Sequence, residues 1–360
     1  MKTTSFLIGV ALATNYSSSF SQWAPVGVSF DFEVKALAFF DDTLYAGGEF
    51  GVAKFNNSWQ KVGNHPTYVL ATFAGKLYAG GDSGLFELTN GWLPVGDIAG
   101  KVFCLTSYQG NLYVGGDFPN FIARFDGTNW QNCGAGVNGP VYALTVYASE
   151  LYAAGPQVAK WNGTHWSAAG NLNFIVRSLV DYYAKGKLVA GGANGELVQW
   201  DGHNWSEEIY LDGSINCFYP WLGDLILGGS FTEKIVVWNE NGFTPIGSLP
   251  GKVNALVQKD DILYAASQFN VVKFYLSNLA TSEISPKDPE ITIWPNPFET
   301  EAKVVSAPEN LEMTIYNSFG SEVKKLNFFG RTTLQGLNPG VYFYKIVGKG
   351  LNTKGKFVIE

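Results

Sequence analysis

The feature that most constrains this chain of 360 residues is a phrase that returns seven times: LYAGG at Leu44 and Leu77, LYVGG at Leu112, LYAAG at Leu151, LVAGG at Leu188, LILGG at Leu225 and LYAAS at Leu263. Successive starts lie 33, 35, 39, 37, 37 and 38 residues apart. Units of about 37 residues have the period of propellers and solenoids, in which each unit buries its apolar face against its neighbours.

Each unit contains four short strand candidates, as in the third: VFCLTSY from Val102, NLYVGG from Asn111, FIARF from Phe121 and NWQNCG from Asn129. Apolar and aromatic residues alternate or cluster over four to seven positions in each, bounded by turn residues. The third and fourth are joined by hairpin chemistry: Asp126-Gly127, Asn162-Gly163 and Asp201-Gly202 each follow an aromatic and precede Trp130, Trp166 or Trp205. Beyond the first residues no stretch places apolar side chains at helical spacing, and 15% aromatic residues with 42 glycines favour strands and tight turns. The body therefore reads as all-β, with four antiparallel strands per unit making a propeller blade. The seventh unit stops after its third strand, VVKFYL from Val271, whereas Trp23-Ala24-Pro25-Val26-Gly27 matches Trp59-Gln60-Lys61-Val62-Gly63. A seven-bladed β-propeller over residues 22–280, its last blade split between the two ends, is expected. A superhelical solenoid is the rival, and the split unit argues against it.

By pattern the units resemble kelch and galactose-oxidase-like repeats: a strand ending in Gly-Gly, then an aromatic followed by a Trp. They are shorter than the usual kelch period, and such rings host binding proteins and enzymes alike. After a polar linker at 281–290 the chain resumes with ITIWPNPF, LEMTIYNSFGSEVKKL, TTLQGLNPGVYFYKI and GKFVIE, strands separated by turns that suggest a small Ig-like β-sandwich. Residues 291–360 resemble the type A C-terminal sorting domain of the type IX secretion system. The points of match are Pro295-Asn296-Pro297, Ile315-Tyr316-Asn317 with Phe319-Gly320, the run Leu337-Pro339-Gly340-Val341-Tyr342, and Lys356-Phe357-Val358. The resemblance implies a Gram-negative cell, passage across the outer membrane with the type IX machinery as partner, and often removal of the tail with attachment to the surface. The final residue, Glu360, departs from the basic residue common there.

Residues 1–21 read as a removable export signal, with Lys2, an apolar run from Phe6 to Ala13 and cleavage before Gln22. That run is too short to span a bilayer, and no later stretch is long enough, so no transmembrane segment is expected. From 22 to 280 there are 14 basic and 22 acidic residues, net −8, and from 291 to 360 there are 8 basic and 6 acidic, net +2. An acidic body repels phosphate backbones, which excludes nucleic acid as a natural partner. Cys104 and Cys217 occupy a repeat slot that elsewhere holds Ala36, Ala143 and Ala255, so with Cys133 they read as small buried side chains.

Catalytic constellations are sparse. Gly81-Asp82-Ser83-Gly84 spells a serine-protease phrase, yet it falls where a turn is due, and His65, His165 and His203 lack the surroundings of a triad base. The histidines are too scattered for metal ligation, and no cofactor fingerprint appears. The remaining candidates are the carboxylates just after Gly-Gly, Glu49, Asp82 and Asp117, with Phe50 and Phe118 beside two of them. On adjacent blades they would form one ligand rim. The expectation is a surface-exposed or secreted binding or adhesion-type protein, with a glycan or protein as ligand. The alternative is a propeller hydrolase or lyase acting on polysaccharide through paired carboxylates.

Overall fold

The computed structural model describes residues 23–206, 208–240, 242–277, 279, 292–294, 301–348 and 351–359. The export signal and Pro295, Asn296 and Pro297 lie outside them. Seven four-stranded antiparallel sheets are followed by one five-stranded sheet. Sheet one runs Val34–Phe40, Thr43–Gly48, Gly51–Asn56 and Ser58–Gly63, each strand hydrogen-bonded to the next. The first strands of sheets two to seven are Thr67–Phe73, Lys101–Tyr108, Ala143–Tyr147, Val176–Tyr182, Ile215–Trp221 and Val253–Lys259. They pack in cyclic order, and the seventh returns to the first. This all-β arrangement is consistent with a propeller.

The recurring phrase has a packing cause. Its leucine, at 77, 112, 151, 188, 225 and 263, is completely buried. Its first glycine admits the neighbouring sheet: a methyl group on Gly80 would lie 2.4 Å from Val102, and one on Gly115 would lie 2.6 Å from Val141. Cys104 and Cys217 face the same gap from the other side, with Sγ 2.6 and 2.7 Å from a methyl built on Gly115 and Gly228. All three cysteines are free, and burial pushes the Cys217 thiol up to about 12 and that of Cys133 up to about 11. Such thiols are packing groups, since the reactive form is the thiolate.

At the outer strands a second contact repeats. The Trp59 indole N–H donates to the Val26 carbonyl at 2.7 Å, and Trp205 to Ala169 at 2.7 Å, each tying one sheet to the preceding one. Four residues after the tryptophan comes a glycine that makes room for the next indole: a methyl on Gly27, whose φ is +73°, would be 2.9 Å from Trp59, and one on Gly170 would be 2.7 Å from Trp205. The hairpins before Trp130 and Trp205 are Asx turns. Asp126 accepts the N–H groups of Thr128 and Asn129 at 2.8 and 2.7 Å, and Asp201 those of His203 and Asn204 at the same distances. These bonds hold both carboxyls below their ordinary pKa.

Sheet seven takes its fourth strand from the other end of the chain. Ala24 and Pro25 pair with Lys273 and Val272. Trp23, only 8% exposed, lies 5.0 Å from Phe274 and donates its indole N–H to Ile246 of sheet six at 2.8 Å. It makes the contact that Trp59 and Trp205 make elsewhere.

The C-terminal strands are Thr292–Trp294, Glu301–Tyr316, Glu322–Gln335, Gly340–Gly348 and Leu351–Ile359. The second is irregular between Val305 and Asn310, pairing with the first strand before the break and with the fourth after it. Its core includes Val304, Met313, Ile315, Leu334, Ile346 and Phe357.

Trp23→Ala removes a buried indole, its hydrogen bond and the anchor of the closing strand. A loss of about 3–5 kcal/mol is expected in denaturant unfolding, comparable with Trp205→Ala. An unchanged unfolding midpoint for Trp23→Ala would refute the closing role.

Candidate ligand-binding site

In each sheet the connection between second and third strands lies at one end of the meander and the turn between first and second at the other. Glu49, Asp82 and Asp117 lie at the first of these ends, and all three are exposed. Two of them are engaged. Glu49 forms an ion pair with Lys35 at 3.1 Å, and Asp82 accepts a 2.7 Å hydrogen bond from the Tyr68 hydroxyl with Lys101 3.4 Å away. The Tyr68 bond outweighs burial and lowers the Asp82 pKa. Burial, Asp82 and more weakly Glu49 push Tyr68 up to about 12, so both acids act on one phenol. Phe50 is half-buried and stacks on Phe30 at 4.4 Å. Phe118 departs from the expected rim role: at 7% exposure it packs in the core between sheets two and three, because its connection turns inward after Asp117.

The structure also assembles a set that sequence reasoning missed. In six of the seven first strands the pairing with the second strand slips by one residue near its start, leaving Lys35, Tyr68, Phe103, Arg177, Asn216 and Asn254 as the extra residues. Tyr142 holds the matching place ahead of Ala143. A bulge re-aims the side chain it carries. These side chains touch from sheet to sheet: the Lys35 ammonium is 4.6 Å from the centre of the Tyr68 ring, Tyr68 is 5.8 Å from Phe103, Phe103 stacks on Tyr142 at 5.4 Å, and the Arg177 guanidinium lies 4.3 Å over Tyr142. Across sheets six, seven and one the Asn216 amide donates to the Val253 carbonyl at 3.0 Å. Asn254 donates to Val34 at 2.8 Å and to Glu33 Oε1 at 2.7 Å. The result is a circuit of three aromatic rings bracketed by two cations on one side, with amides on the other.

A sequence signal for this circuit exists. Each member directly follows a buried β-branched residue at the head of the unit: Val34, Thr67, Val102, Val141, Val176, Ile215 and Val253. Read as strands of strict alternation, these positions look like ordinary outward-facing residues.

Chemically, the aromatic faces can receive apolar faces of a ligand, and Lys35 and Arg177 can receive acceptor oxygens. Asp82 is unsuited to acid catalysis, since a general acid needs a raised pKa and its own is lowered. His65 stacks on Phe86 at 3.8 Å, and His165 lies in the Asn162 hairpin. Among the described residues no group of three or more His, Cys, Asp or Glu side chains could hold a metal ion.

Of the tail residues matched above, Gly320 has φ +78° in a turn closed by its N–H to the Asn317 carbonyl at 3.0 Å. Gly340 opens the fourth tail strand with φ +154°. Tyr342 donates to the Asn338 carbonyl at 2.8 Å and stacks on Phe357 at 5.5 Å. Lys356 lies 3.7 Å from Asp261.

Comparison with known proteins places the tail. Residues 292–360 match the family described as the secretion system C-terminal sorting domain. No curated protein matches the chain. Among solved structures it is similar to the extracellular domain assigned to the hybrid two component system BT3049 from B. thetaiotaomicron, at 10% identity, with TM-score 0.56, covering 91% of this chain and 55% of that one. It is also similar to the extracellular domain assigned to the one component system BT4673 from the same organism, at 13% identity, with TM-score 0.61, covering 86% and 47%. A chain in a structure of the Mitotic Checkpoint Complex is similar at 14% identity, with TM-score 0.57, covering 76% and 99%. At these identities the likeness concerns the fold, and this chain spans about half the length of the two bacterial domains. Among the described residues no helix is long and apolar enough to cross a membrane. With a type IX sorting domain at its C-terminus, the protein is one exported to the outer cell surface or secreted.

Proposed function

We propose that this is a binding protein of the cell surface or extracellular medium, built as a closed seven-bladed, kelch-like β-propeller over residues 22–280. Residues 1–21 are its removable export signal, 281–290 a linker, and 291–360 an Ig-like sandwich that engages the type IX machinery. The observation that carries the binding reading is the circuit of Lys35, Tyr68, Phe103, Tyr142 and Arg177, in which five side chains from five successive sheets converge at one end of the strands. Aromatic rings bracketed by cations suit a ligand with flat apolar faces and acceptor oxygens, as a glycan or an extracellular protein loop has. Glu49, Asp82 and Asp117 form the outer rim of that site. The engagement of Glu49 with Lys35 and of Asp82 with Tyr68 supports recognition over polysaccharide hydrolysis, which needs one carboxyl held protonated.

Two experiments test the reading. Screening the purified protein on glycan and extracellular-protein arrays should give a ligand whose affinity falls about 30-fold in the Phe103→Ala, Tyr142→Ala double variant. Glu49→Ala, Asp82→Ala and Asp117→Ala together should weaken it less, without unfolding the sheets. Unchanged affinity in the aromatic double variant moves the site elsewhere. For sorting, deletion of 291–360 should leave the chain in the periplasm, whereas delivery of the truncated chain to the surface would overturn the assignment.

A further inference from the structure

The sorting sheet meets the body at the strand ends opposite the aromatic circuit, and the contact there is built for one partner. In sheet six the turn after the first strand reads Trp221-Leu222-Gly223-Asp224. The corresponding tips of sheets one to four and seven are polar or small: Asp41-Asp42, Ala74-Gly75, Gln109-Gly110, Ala148-Ser149 and Asp260-Asp261. Sheet five has Tyr183-Ala184-Lys185-Gly186, and the Tyr183 hydroxyl would lie 3.1 Å from a methyl on Gly320 of the tail. Leu222 has φ +48°, a conformation that a branched side chain disfavours, and it is completely buried. It lies in one apolar cluster with Trp221, Phe274 and Leu276 of the body and with Tyr316 and Phe343 of the tail. Gly223 is required at this contact, because a methyl there would lie 2.6 Å from the Tyr316 hydroxyl and the φ is +81°.

Asp224 is 1% exposed. A carboxylate so buried demands counter-charge, and both counter-charges come from the tail: Lys354 Nζ bonds to its Oδ2, and Lys345 Nζ lies 3.7 Å from its Oδ1. Lys345 and Lys354 are direct cross-strand partners, so they project from the same face of the tail sheet. Like charges placed opposite each other destabilise a sheet unless an anion lies between them. The Trp221 ring, 5.4 Å from the Lys354 ammonium, completes the seat. Gln258 donates to the Ser318 carbonyl at 2.8 Å, and Lys356 is 3.7 Å from Asp261, both in sheet seven. The charges of the two partners match at long range as well, with a body of net −8 and a tail of net +2.

We infer that the first-to-second-strand turns of sheets six and seven are a dedicated docking surface for this chain's own sorting sheet, locked by Asp224 against Lys354 and Lys345. Sheet six carries an apolar tip and a lone buried acid that serve this contact, and the tail carries a lysine pair that the acid neutralises.

The test starts from the full-length protein with a single protease site introduced between 281 and 290, folded, cut and passed over a gel-filtration column at micromolar concentration. The severed tail is expected to co-elute with the body. Asp224→Asn and Lys354→Met should each weaken its retention about 100-fold or more, because each strands buried charge. Lys325→Met, which removes only an exposed pair with Glu312 inside the tail, should leave retention unchanged. Far-UV circular dichroism of the uncut full-length variants separates interface loss from misfolding, since Asp224→Asn and Lys354→Met should keep the parent's β spectrum. Loss of the tail from the unmutated cut protein, undiminished retention in either lock variant, or equal release by Lys325→Met would overturn the inference.

Discussion

The architecture depends on a close approach between neighbouring sheets that small residues allow, glycine in five of the repeated phrases and the buried Ala154 and Ala266 in the other two. At the inner strands the first glycine of the repeated phrase leaves the gap into which Val102 or Val141 of the next sheet fits. At the outer strands Gly27 and Gly170 leave the gap filled by Trp59 and Trp205. The two contacts set the spacing at both radii. The indoles of Trp23, Trp59 and Trp205 each add a hydrogen bond across the seam, whereas Trp92, Trp130 and Trp166 fill the equivalent gap by packing alone. Trp23 is one instance of this contact, made by a residue from the start of the described chain.

That spacing creates the candidate site. Sheets held close at their first strands bring the residues at the head of each unit within touching distance, so Tyr68, Phe103 and Tyr142 meet although they lie 35 and 39 residues apart in the chain. At Tyr68 and Phe103 a bulge turns the side chain out of the alternation that would otherwise bury it or aim it at the adjacent sheet. Packing alone does not dictate what occupies the slot. It holds lysine, tyrosine, phenylalanine, tyrosine, arginine and two asparagines in turn, whereas the residue before it is always β-branched and buried.

Much of the fold was legible because it is written in local terms. The repeated phrase, the Asp-Gly and Asn-Gly hairpins and the echo of Trp59 to Gly63 in Trp23 to Gly27 identify four strands per unit and a borrowed strand. The site was legible only in part. Glu49 and Asp82 do stand at the expected strand ends, but Phe118 turned out to be core, since the direction of a side chain in a connection depends on tertiary packing. The aromatic circuit escaped because a one-residue bulge is invisible to a period-two reading. The role of Asp224 escaped for another reason: its partners are about 120 and 130 residues away in a separate sheet, and nothing local distinguishes it from a solvated turn acid.

The meander has a geometric consequence for how such a molecule would stand on a cell. Alternate connections of an antiparallel sheet emerge on opposite faces, so the turn holding Asp224 and the bulge holding Asn216 are the two ends of one strand. The contact with the sorting sheet and the aromatic circuit are thereby set back to back, separated by a strand of seven residues, about 23 Å. A body held by its sorting-sheet end presents the aromatic circuit outward whatever the sequence of the intervening strands, so its orientation at an interface is decided by strand parity.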